Sequence, residues 1–128
     1  MKRVIIITHD TLAEAYYETL KNFISDISNV EWFSLTANLS LENLEKEVNS
    51  SINDSDTYFI VTDLGIASST KVAVHVAKGH ENVFVLTGLN MMLLVSLLTT
   101  EIDGSVQEFI KDITAVAKAD IISWSNKK

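Results

Sequence analysis

The run Val4-Ile5-Ile6-Ile7 offers no polar face. A strand with one side in water alternates apolar and polar residues, so an unbroken apolar run reads as a strand covered on both faces, as in a parallel sheet. From Thr11 to about Phe23 the period changes: Leu12, Ala15, Tyr16, Leu20 and Phe23 recur every three or four residues, which predicts a helix over residues 11–25. That alternation then repeats. Residues 30–36 read as a second strand, and Ser40 as the N-cap of a helix with Glu42 in its first turn and Leu41, Leu44, Val48 and Ile52 as its buried stripe. The turn cluster Asn53-Asp54-Ser55-Asp56 precedes a third strand, Thr57 to Thr62. A helix from Ser68 to Lys78 follows, with Gly79 closing it at the position after its end. Val83 to Thr87 is the fourth strand, and Gly88-Leu89-Asn90 leads into a fourth helix. A last helix, Ser105 to Ala117, precedes a short strand, Ile121-Ile122-Ser123-Trp124.

Strands alternating with helices imply parallel pairing through right-handed crossovers. The expected fold is therefore α/β: an open, doubly wound, mainly parallel sheet of four strands flanked by helices, followed by the short C-terminal strand. At 128 residues the chain suits one domain, 1–128, with a single core.

Composition removes several function classes. Without cysteine there is neither a disulfide framework nor a thiolate metal site, which fits an intracellular chain. Net charge is −7 and the ten Lys and Arg are dispersed, which argues against nucleic acid and gives a field that favours a basic protein partner. The apolar stretch Leu89 to Leu98 is broken by Asn90 and Ser96 and is too short to span a bilayer, and Met1 to Thr8 is too short for a signal peptide. A soluble, cytoplasmic protein is expected. Three scattered histidines give no metal-ligand spacing, and the absence of a phosphate-binding glycine fingerprint disfavours nucleotide; no cofactor is expected.

Ligands and chemistry gather at the carboxyl ends of the strands in an open α/β sheet. His9 stands about where the first strand should stop. An unperturbed imidazole titrates near ~6.5, so its neutral form is an available nucleophile at cellular pH. Such a nucleophile needs a carboxylate on its other ring nitrogen, and Asp63, at the end of the third strand, is the natural candidate. The segment Gly65-Ile66-Ala67-Ser68, opening the third helix, could cradle a phosphoryl group with backbone N–H donors. Gly65 permits close backbone approach there, and Ser68 or Ser69 adds a hydroxyl. Thr87, Gly88 and Asn90 belong to the same rim. Asp10 reads as the N-cap of the first helix. Taken alone, Asp63 could simply cap the third helix. His75 and His80 read as structural or solvated, and Met91 and Met92 as core or interface filling.

These residues resemble the A component of mannose-family sugar phosphotransferase systems. Ile5-Ile6-Ile7-Thr8-His9 resembles the family's first strand, which ends in the phosphorylated histidine, and Val61-Thr62-Asp63-Leu64-Gly65 resembles the Asp-bearing end of its third strand. Gly88-Leu89-Asn90-Met91-Met92-Leu93-Leu94 is similar to the family's Gly-Val-Asn-[Ile/Leu]-Pro-Met-Leu stretch. The resemblance implies a phosphotransferase in which His9 accepts phosphate from the carrier protein HPr and passes it to an EIIB component for sugar uptake. It makes Asp63 the residue that orients His9, leaves membrane contact to the other transporter components, and implies a homodimer that exchanges its C-terminal strand. Where the family has Gly-Gly-Ser-Pro, this chain has Gly65-Ile66-Ala67-Ser68 and no proline. Asp63-Leu64-Gly65 is also similar to the phosphotransfer subunit of dihydroxyacetone kinase, so that pathway stands as the alternative. A receiver domain phosphorylated on Asp63 fits less well, since it needs paired acids after the first strand and a lysine closing the fifth. A regulatory domain that keeps the fold is compatible with the residues.

Overall fold

The computed structural model describes residues 1–126. They form two compact units, Met1–Leu89 and the segment from Asn90 onward. The first unit contains β1 (Lys2–His9), α1 (Leu12–Leu20), β2 (Val30–Leu35), α2 (Leu41–Ser50), β3 (Thr57–Thr62), α3 (Ser68–Lys78) and β4 (Val83–Leu86). All neighbouring strands pair in parallel, and the order across the sheet is β2-β1-β3-β4.

Given this order, one rule of handedness fixes the face that each helix covers. The chain steps one way from β1 to β2 and the opposite way from β2 to β3 and β4, so crossovers of constant hand place α1 on one face and α2 and α3 on the other. The side chains agree. Ile5, Ile7, Tyr58 and Ile60 share one face with Leu44 and Val48 of α2 and Val72, Ala73 and Val76 of α3. Their neighbours in sequence, Val4, Ile6, Phe59 and Val61, are equally buried and point the other way, where the rings of Phe59 and Phe84 stack with centroids 5.7 Å apart. The apolar run that opened the chain thus lies in a central strand, between β2 and β3. The strand order reverses its step between β1 and β3, and in open α/β sheets ligands gather at the carboxyl ends beside such a switch point.

Several local expectations shift. The first helix ends at Leu20, its buried residues are Ala13 and Leu20, and Leu12 and Phe23 are exposed. Its register is set by the turn before it rather than by an Asp10 cap. Asp10 has a left-handed backbone (φ 50°), Thr11 is the N-cap residue without a side-chain bond, and the buried Thr8 hydroxyl accepts the Ala13 N–H at 2.7 Å. Ser40 does cap α2, accepting from the Asn43 N–H, while Leu41 is exposed and Ile52 lies beyond the helix end. Gly79 ends α3 with right-handed backbone (φ −92°), so no left-handed glycine cap forms.

In the second unit, α4 (Met91–Thr99) and α5 (Val106–Ala119) pack on each other, with N-caps Asn90 and Ser105. Within the single chain the expected C-terminal strand is not paired. Residues 121–125 have no regular structure, and Ile121, Ile122 and Trp124 are exposed. A strand exists only by pairing its backbone groups, and none of the four strands of the sheet pairs with this segment.

Candidate functional site at the carboxyl ends of β1 and β3

Because β1 and β3 are adjacent and parallel, their carboxyl ends lie side by side, with Ile7 opposite Thr62. His9 is the last residue of β1 and Asp63 the first residue past β3, so the two come together without any long loop. His9 Nδ1 lies 3.0 Å from Asp63 Oδ2, and the same oxygen accepts the His9 backbone N–H at 3.0 Å. Asp63 Oδ1 accepts the Leu64 N–H at 3.0 Å and the Ser69 hydroxyl at 2.5 Å.

Burial alone would push the Asp63 carboxyl up, but the hydrogen bonds from Ser69, from the His9 ring and backbone N–H, and from the Leu64 N–H pull it down to about 2. At neutral pH it is therefore ionised and can only accept. Nδ1 of His9 must then carry a proton, and in the neutral form of the ring the lone pair is on Nε2. The His9 side chain is 46% exposed while that of Asp63 is 12% exposed, so the imidazole is the more accessible of the two to a partner.

The loop after Asp63 continues through exposed Leu64, Gly65 and Ile66 to Ala67, the N-cap position of α3. Ser68 opens the helix, where first-turn N–H groups lie outside the internal ladder. A Cβ placed on Gly65 would meet Thr87 Oγ1 at 3.7 Å, an ordinary contact, so the backbone there does not demand glycine. The Leu89 N–H donates to the Thr62 carbonyl at 3.0 Å, which ties the loop after β4 to the end of β3. Asn90 is instead spent on the helix that follows it, accepting from the Leu93 N–H at 2.8 Å. His75 and His80 lie beside Glu45 (3.7 Å) and Asn49 (2.9 Å) respectively.

Two hydroxyls act here in ways the sequence does not disclose. Ser69, offered together with Ser68 as a hydroxyl for phosphate, is fully buried and donates to Asp63. Thr70 bridges the Leu64 carbonyl and the Thr62 hydroxyl, each at 2.6 Å, and so fixes the first turn of α3 to the strand end. A hydroxyl-rich helix start six to seven residues after a strand-terminal Asp was the available signal.

The family model described as "PTS system fructose IIA component" matches residues 3–114. No curated protein matches the chain. Among solved structures it is similar to the phosphotransferase system component EIIA from Streptococcus agalactiae (17% identity, covering 96% of this chain and 97% of that one, TM-score 0.86). The mannose/sorbose specific IIA subunit from Enterococcus faecalis is 16% identical over 100% of this chain and 98% of its own, with a TM-score of 0.87. The PTS IIA protein associated with the fucose utilization operon of Streptococcus pneumoniae is 21% identical, with coverage of 95% and 92% and a TM-score of 0.81. At these identities the likeness concerns the fold.

Proposed function

The chain belongs to the family of phosphotransferase-system fructose IIA components, and on that premise we propose that it carries a phosphoryl group on His9, received from the phosphohistidine protein HPr and passed to an EIIB component during sugar uptake in the cytoplasm. The observation that carries this reading is the 3.0 Å pairing of His9 Nδ1 with Asp63 Oδ2 at the switch point of the sheet.

In the forward step the lone pair on His9 Nε2 attacks the phosphorus of the donor. The new P–N bond forms as the donor's P–N bond breaks, and its electron pair returns to the donor nitrogen. His9 gains positive charge as the bond forms. Asp63 offsets that charge through the Nδ1–H hydrogen bond, and needs no proton transfer to do so. In the second step a nucleophile on the EIIB component attacks the same phosphorus, and the electron pair returns to Nε2. The N–H groups at the start of α3, beside Gly65 and Ser68, supply donors for the phosphoryl oxygens. Leu64 and Ile66, exposed beside the site, give partner proteins an apolar surface to cover.

We read residues 1–128 as one phosphotransfer domain that works as a homodimer. Incubation with a labelled phosphohistidine donor should place an acid-labile, base-stable label on the protein, and His9→Ala should abolish it. A label that survives His9→Ala would overturn the assignment. Transfer from the labelled protein to an EIIB component, but not to a dihydroxyacetone kinase, is the expected acceptor result.

A further inference from the structure

We propose that Ser69 is the positioning residue of the His9–Asp63 pair: its buried hydroxyl fixes the plane of the Asp63 carboxylate and so holds the imidazole in the tautomer with Nε2 free. This rests on the reading of His9 as the phosphoryl carrier.

An ionised carboxylate has about four acceptor positions, and those of Asp63 are filled in pairs. Oδ2 takes both N–H groups of His9, and Oδ1 takes the Leu64 N–H and the Ser69 hydroxyl. The two donors on Oδ1 are not equivalent. Leu64 is the next residue in the chain and moves with Asp63, whereas Ser69 is on a helix. The terminal torsion of an Asp side chain is broad and roughly two-fold, so it needs an outside constraint to hold one plane. Ser69 supplies that constraint because its own position is not free. It is the second residue of α3 and fully buried. Its neighbour Thr70 is anchored on both sides of Asp63, to the Thr62 hydroxyl and the Leu64 carbonyl. Side chains in a first helical turn point back toward the helix start, which is where the loop carrying Asp63 passes.

Ser69→Ala deletes one oxygen and leaves the helix intact. In the unphosphorylated protein, the imidazole nitrogen resonances of wild type should report a single tautomer protonated at Nδ1. In Ser69→Ala they should report a mixture, and phosphorylation of His9 should slow by roughly ten- to 100-fold, the range for losing one hydrogen bond to a charged group. Ser69→Cys keeps the shape with a weaker donor and should fall between the two. It also carries the test if the alanine variant does not fold. Variants that lose thermal stability but keep the wild-type tautomer and rate would overturn the proposal, since packing alone predicts that result. Failure of the wild type to be labelled on His9 would instead defeat the carrier reading. The tautomer measurement needs no phosphate donor and separates the two failures.

Discussion

Asp63 couples the chemistry of the site to the stability of the fold, because one carboxylate receives donors from a strand end, a loop and a helix start. Its carboxyl is pulled down to about 2 from the ordinary value of 3.8. A depressed value means that the native state prefers the ionised form, so this contribution is complete above the ordinary value and is lost as pH falls through it toward about 2. Asp63→Asn keeps the shape but sets an NH2 against N–H or O–H donors. It should cost about 1–3 kcal/mol near neutral pH and slow phosphorylation. The difference in urea midpoint between wild type and variant should narrow as pH falls from 3.8 toward about 2; a gap that stays constant through that window would refute the linkage. The His9–Asp63 pair was legible in the sequence because it depends only on which strands neighbour each other and where they end. Ser69 was not, because its role depends on which way the second residue of a helix faces.

At the scale of elements, the two ends of the sheet do different work. The carboxyl end carries the site, and the amino end carries the polar joints that hold the strands in register. Tyr58, near the start of β3, is 1% exposed, and its hydroxyl donates to the Ser51 carbonyl at 3.0 Å and accepts the Asn53 N–H at 3.1 Å. Asp56 pairs with Arg3 at 2.7 Å and with the amino terminus at 3.2 Å, which holds its carboxyl well below the usual carboxylate range. Tyr58→Phe removes the partner of the Ser51 carbonyl and of the Asn53 N–H at the α2–β3 turn. A loss of about 1–3 kcal/mol is expected, seen as an earlier urea midpoint, with the rate of His9 labelling unchanged because the site is at the opposite end of the strand. A matching fall in labelling rate would show that the two ends are not independent. Element type and order were readable from periodicity, since the change from continuous apolar runs to a helical period marks each boundary. The face that α1 buries was not. A left-handed residue at Asp10 and a cap from Thr8 rotate the helix so that Ala13 and Leu20 point inward while Leu12 and Phe23 point out.

At the scale of the whole molecule, residues 121–125 present a run of apolar side chains, with Ile121, Ile122 and Trp124 78%, 81% and 85% exposed. The sequence there has strand character, yet no ladder forms within the chain, because β-structure depends on a partner that local propensity does not specify. The sheet ends in two edge strands, β2 and β4, and such an edge takes a strand from another chain readily. In a two-fold exchange each copy gives one segment and receives one. Burial of a Trp and two Ile, worth roughly 1.5–3 kcal/mol for each Ile and more for the Trp, is then gained twice while the entropy of association is lost only once. A homodimer is therefore expected in sedimentation at micromolar protein. A chain ending at Asp120 should sediment as a monomer, as should Ile122→Ser combined with Trp124→Ser, which keeps the length but removes the apolar gain. If wild type is itself monomeric under those conditions, strand exchange is refuted. If the shortened chain stays dimeric, the interface lies elsewhere, and Ile121, Ile122 and Trp124 are left exposed in the dimer as they are in the single chain.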